Sequence, residues 1–217
     1  MAEKKDQEQI ALQFLLAEYS ELNEEFRRLR EEGVTRLNFY ITITSSILAG
    51  LVLLSQISPA SSGFLQFAAI GAAFLLMLIG WSLFRYTIAR DELTDDTLRA
   101  LARLRRFFTN HAPSIKGVLS RPMDDEPTMF VTRNASSIRL TVQSILSLLF
   151  ALMAGLAVNL VSRTLVLSVG IGVIAFASVM LSLEAYSKKQ FKRITESAHK
   201  SVRFPREHNQ QNRQNAA

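Results

Sequence analysis

The chain contains no cysteine, so histidine and carboxylate side chains are the groups from which it could build a reactive centre. Without thiols there is no disulfide, no cysteine nucleophile and no zinc–thiolate site. The histidines are His111, His199 and His208. No two stand at metal-ligand spacing, and none falls in an apolar segment. Two carboxylate clusters remain, one over Asp91–Asp96 and one at Asp124-Asp125-Glu126. Aspartates gathered at a membrane surface can hold a divalent metal for phospholipid chemistry. The first cluster lacks the glycines and further aspartates that such a site needs. Both clusters read as solvated, one at a helix start and one in a loop. There is no P-loop, dinucleotide fingerprint or H-E-x-x-H. The sequence predicts a non-enzymatic chain with no catalytic residue, no cofactor and no metal.

Milder polarity lies inside the apolar segments. Asn38, Thr42, Ser45, Ala49 and Gln56 fall near one helical face. Gln143, Ser144, Ser147, Ala151 and Ala154 gather on another. Ser168, Gly172, Ala175, Ser178 and Ser182 form a small-residue stripe. Small residues let helix backbones approach closely, and hydroxyls can hydrogen-bond across the contact. Packing of the helices on one another is one use of these faces. The other is the lining of a water-filled path, since hydroxyls and amides can line one without fixed charge. The pattern of Asn38, Thr42, Ser45, Ala49, Gln56, Gln143 and Ser147 is open to both. No ionisable residue lies at mid-span, which argues against a proton-coupled carrier.

These residues need long helices to position them. Although the chain of 217 residues is 48% hydrophobic and 20% charged, its apolar residues are concentrated in four blocks. They run over 37–54, 64–84, 140–161 and 165–183, and none contains a charged side chain. Such blocks make helices roughly 27–33 Å long, about the thickness of a bilayer's hydrocarbon core. The first pair is joined by a Ser/Pro/Gly loop and the second by Ser162, Arg163 and Thr164. The expected fold is all-α: a four-transmembrane-helix protein built from two helical hairpins, with cytoplasmic helical extensions. The expected divisions are a coiled-coil-like helix over 1–36, a hairpin over 37–84 and a helix and loop over 85–139. A second hairpin over 140–186 and a basic, partly disordered tail over 187–217 follow.

Direction comes from the cations. Of 25 Lys and Arg residues, 24 lie in 1–36, 85–139 and 187–217, and only Arg163 lies in a short connection. The positive-inside rule puts both termini in the cytoplasm. Tyr40, Trp81, Tyr86 and Tyr186 fall near the same inner interface, as amphipathic rings do. The N-terminus has no signal-peptide pattern, so the first span is expected to act as an uncleaved anchor, and a bacterial inner membrane is the expected location. The net charge of +6 fits a cytoplasm-facing membrane surface. No nucleic-acid-binding motif accompanies it, and anionic lipid is the expected partner of the basic face. Asn134-Ala135-Ser136 matches a glycosylation acceptor, but this topology keeps it inside.

Residues 7–32 read as a helix. Leu12, Leu15, Tyr19, Leu22, Phe26 and Leu29 follow a 3-4 spacing, the seam of a short coiled coil. A seam this short requires a partner, either a copy of itself or the helix after the second span. Gly33 weakens the junction with the first span, as a hinge or as a tolerated break. Residues 85–111 continue the second span and end near Ala112, because Pro113 disfavours helix in the residue before it. Residues 113–137 read as loop. The basic stretch from Ser187 to Val202 has one weak apolar face. Residues 205–217 are rich in Asn and Gln and are expected to be disordered.

A cytoplasmic helix, with its seam at Leu12–Leu29 and the string AEYSELNEEFRRLREEG at 17–33, thus runs directly into a span, followed by a tight hairpin with minimal outer loops. This layout resembles the SLATT-type and four-span pore-forming effectors of bacterial anti-phage conflict systems. The resemblance covers residues 10–112, with the second hairpin fitting the four-span kind. It implies a homo-oligomer that permeabilises the inner membrane in antiviral defence once a partner senses infection. The residues also permit a non-catalytic anchor, scaffold or accessory subunit whose exposed helical faces recruit a cytoplasmic protein.

Overall fold

The computed structural model describes residues 2–57, 62–115, 123–126, 137–162 and 164–204. Arg163, His208, Asn134, the Ser/Pro/Gly connection at 58–61, most of the 113–137 segment and the 205–217 tail lie outside the described residues. The described chain is all-helical. It consists of α1 (Ala2–Ile57), α2 (Ser62–His111), α3 (Ser137–Ser162) and α4 (Leu165–His199), with a 3₁₀ turn at Pro113–Ile115. All four α-helices are long and apolar enough to cross a membrane, as expected for an integral membrane protein.

Two of them are much longer than a bilayer is thick. The 56 residues of α1 make a rod of about 84 Å and the 50 of α2 one of about 75 Å, against a hydrocarbon core of about 30 Å. Each therefore extends beyond its apolar segment. Gly33 interrupts nothing: α1 runs through it, and the residue is buried. The missing Cβ costs about 1 kcal/mol of helix propensity, which a long packed helix absorbs. At the end of α2, Ala112 N–H donates to Phe108 O at 2.8 Å and the helix stops before Pro113.

The chain forms two units. One comprises 1–31, 90–134 and 191–217, and the other 32–89 and 135–190. In the first, Leu29, Leu101, Ala102, Phe191 and Ala198 are buried. Its α1 seam meets α2, with the Arg105 guanidinium 5.8 Å from the Tyr19 ring centroid.

In the second unit, Tyr40, Leu76, Phe84 and Val142 are almost wholly buried. The Tyr40 hydroxyl donates to Leu76 O at 3.1 Å, tying α1 to α2. A Cβ at Gly80 would collide with that hydroxyl and with Leu146 of α3, so any larger residue must displace one of them. On α3 and α4, Gly155 faces Ser168 O and Gly172 faces Ala151 O, each 3.2 Å from where a Cβ would stand. Trp81 and Phe84 of α2 form a ring cluster with Tyr186 of α4, with centroids 5.8–6.2 Å apart.

Candidate functional site

The polar faces divide between inside and outside. Gln143 is 3% exposed and Ser147 fully buried, so the α3 face packs within the second unit. The Ser147 hydroxyl has the Met180 sulfur at 3.8 Å, a weak acceptor. The Gln143 amide nitrogen is buried with no hydrogen-bond partner among the described residues. On α1, by contrast, Asn38, Thr42, Ser45, Ala49 and Gln56 are all exposed, while Tyr40 and Thr44 point into the core. Ser168 of the α4 stripe is buried, Gly172 and Ala175 are half-buried, and Ser178 and Ser182 are exposed.

The other spans turn apolar side chains outward. Phe64, Phe67 and Leu75 of α2 are 60–68% exposed, as are Ile174 (67%) and Val173 (63%) of α4. The outward α1 surface has this character too, at Phe39 (65%), Ile41, Leu48, Val52, Leu53 and Leu54, with the polar side chains set among them. Some of its polarity is met locally, since Thr42 Oγ1 donates to Asn38 O at 2.9 Å and so lowers the cost of facing hydrocarbon. Beside the stripe, Ile41, Thr44, Ser45 and Leu48 line an apolar groove of about 410 Å³ together with Ile145 and Leu148 of α3.

The seam residues follow a gradient. Leu12 is exposed, Leu15, Tyr19, Leu22 and Phe26 are half-buried, and Leu29 is buried. Near the start of α1, Ile10 and Phe14 are 65–66% exposed and Leu16 is 54% exposed.

The carboxylate clusters depart from expectation in part: Asp96 is exposed and Glu92, Asp124 and Glu126 are half-buried, but the other three are interior. Asp91 and Asp95 are 1% and 3% exposed, and Asp125 is completely buried. Because α2 begins at Ser62, Asp91 lies mid-helix and gains no N-terminal dipole. Its carboxylate takes a 2.6 Å contact from the Arg90 guanidinium, itself 4% exposed. Arg99 and Arg105 are also buried, and the four threonines Thr87, Thr94, Thr97 and Thr109 bond their own helix carbonyls. One signal was available in the sequence: Thr87, Arg90, Asp91 and Thr94 recur at helical spacing. Read as a solvated edge, this polar face is instead part of a packed surface.

Asp125 is the centre of the first unit's polar network. Arg103 Nε donates to Asp125 Oδ2 at 2.7 Å. Backbone N–H groups of Arg203 and Phe204 donate to the carboxylate at 3.1 and 2.7 Å. Asp125 N–H donates back to Phe204 O at 3.1 Å. Arg99 gives Nε to Asp125 O at 3.1 Å and Nη2 to both Ala198 O at 3.0 Å and Ser201 Oγ at 2.9 Å. Arg103 Nη2 also reaches Ser201 O at 2.8 Å. Arg99 thereby adds a third donor to Ala198 O at the end of α4, which also accepts from Ser201 N–H at 3.0 Å and Ser201 Oγ at 2.9 Å. Burial alone would raise the Asp125 pKa. The Arg103 hydrogen bond, the two backbone donors and the Arg103 charge outweigh it, and the carboxyl sits below its ordinary value.

Among the described residues, no three His, Asp or Glu side chains come together in a group that could hold a metal ion. No protein-family model, no curated protein and no solved structure matches the chain.

Proposed function

We propose that this chain is an oligomeric integral membrane protein of two helical hairpins, with both termini on the cytoplasmic side of a bacterial inner membrane. It acts there as a pore-forming or membrane-disrupting effector in antiviral defence, controlled from the cytoplasmic side. One observation carries the reading: the polar stripe of α1 at Asn38, Thr42, Ser45, Ala49 and Gln56 is outward and unpacked. The facing glycines of α3 and α4 support the second hairpin, and the cation distribution supports the topology. A polar stripe facing hydrocarbon gives up hydration, and only part of that loss is met by the Thr42–Asn38 bond. Facing copies of itself, it gains either helix contacts or a water-filled axis.

The test is the mass of the protein in nanodiscs, followed by dye release from vesicles of phosphatidylethanolamine and phosphatidylglycerol. A closed ring of several copies that releases dye is the expected result. A stable monomer or dimer leaves no room for a shared axis and refutes the pore.

A second reading rests on the other end of α1, where Ile10, Phe14 and Leu16 are exposed outside the apolar segment. Such a face suits an anchor or accessory subunit that recruits a cytoplasmic protein. Replacing Ile10 and Phe14 with glutamate separates the two. Loss of a co-purifying partner with unchanged copy number favours the anchor, and an altered copy number favours the ring.

A further inference from the structure

We propose that the Asp125 contact with the residues following α4 is an autoinhibitory clip, whose release frees residues 200–204 and is the control step of the membrane activity. The control step rests on the function proposed above. The clip itself rests on its own geometry.

Among the described residues, the segment is held by a set of polar contacts. Lys200, Ser201 and Arg203 are exposed, and Val202 and Phe204 are only half-buried, so no side chain of the segment is fully buried. Beyond α4, turn-type backbone bonds continue to Val202, with Val202 N–H to His199 O at 3.5 Å. What fixes the segment to the rest of its unit is the carboxylate of Asp125, through the N–H groups of Arg203 and Phe204, backed by Arg99 and Arg103. An apolar joint weakens gradually as methylenes are removed. A joint centred on one buried carboxylate fails as a unit. Loss of the charge weakens the one acceptor shared by the Arg103 guanidinium and the two backbone donors. The grip is also two-sided: Asp125 and Phe204 exchange backbone and side-chain bonds, so when one is displaced the other loses its partner. The contact is polar and concentrated on one carboxylate, and Leu101, Ala102 and Phe191 are not among the groups that bond it.

The experiment uses the full-length protein in nanodiscs, with amide hydrogen exchange at Arg203 and Phe204 as the first readout. In the wild type these amides are protected. In Asp125→Asn they exchange at least ten-fold faster, while amides of α3 are unchanged. Arg103→Gln removes a partly exposed cation and leaves the carboxylate in place, giving an intermediate acceleration; it tests the clip if the asparagine variant fails to fold. Dye release from phosphatidylethanolamine–phosphatidylglycerol vesicles is the second readout, and both variants are expected to release dye at least three-fold faster than the wild type. Unchanged exchange at Arg203 and Phe204 in both variants overturns the clip. Faster exchange with unchanged release overturns its role as a restraint and leaves the pore reading standing. If neither wild type nor variants release dye while exchange accelerates, the proposed function fails and the control step fails with it.

Discussion

Asp125 sits in a run of three carboxylates between prolines, and locally nothing separates it from its neighbours. Its partners stand 22, 78 and 79 positions away along the chain, so a solvated loop was the natural reading. Its depressed pKa fixes the sign of a pH effect. A carboxyl held below its unfolded value contributes stability that is fully present above about pH 4 and is lost as pH falls through the folded pKa. Protection of the Phe204 amide should therefore hold at neutral pH and decline on acidification below about pH 4. In Asp125→Asn this decline should be absent, and an identical acid profile in the variant would rule out Asp125 as its source. Gln143 presents the opposite case. Its polar type was legible in the sequence, but the lack of a partner for its amide nitrogen among the described residues was not. An unsatisfied buried donor costs about 1–3 kcal/mol. Gln143→Leu should thus raise the unfolding midpoint in detergent, and a lowered midpoint would mean the amide has a stabilising role.

The four apolar helices are legible in the sequence because hydropathy and length are properties of local sequence. The four apolar segments each lie within a helix that can cross a membrane, and α2 ends at His111 beside Pro113. The continuity of α1 through Gly33 was not decided by sequence, because propensity at one residue is small beside packing along the helix. Glycines separate by environment in a way composition cannot predict. Gly172 stands against the Ala151 carbonyl, whereas Gly71 and Gly170 have nothing within 4 Å of a Cβ position. Gly172→Leu should lower thermal stability in detergent by about 1–3 kcal/mol, since a backbone carbonyl cannot yield as a side chain end can. Gly71→Leu and Gly170→Leu are the controls and should be neutral or better. Equal losses at all three positions would show that the effect is not contact with α3.

At the scale of the molecule, the outward surface is uneven. Phe67 and Ile174 face outward from their spans, and so do Asn38, Thr42 and Ser45 from theirs. Replacing those three by leucine makes the α1 surface like the rest. If the stripe joins copies, the triple variant should run at a smaller mass in nanodiscs and release less dye. If mass and release are both unchanged, the stripe neither joins copies nor lines a path. The exposed positions are suited to this test because the substitution creates no cavity and displaces no core residue.

Sequence alone determined that the chain is helical and that four segments suit hydrocarbon, because these follow from which residues are adjacent in the chain. It also showed which faces carry hydroxyls and amides, since helical period is local. Only the tertiary structure decided which of those faces turn outward: Asn38 and Gln143 are alike in type, yet one is exposed and the other buried. It also decided that Asp91, Asp95 and Asp125 are interior. The physical reason is common to both. Burial depends on what the rest of the chain places against a side chain, and for Asp125 those groups come from α2 and from the residues after α4.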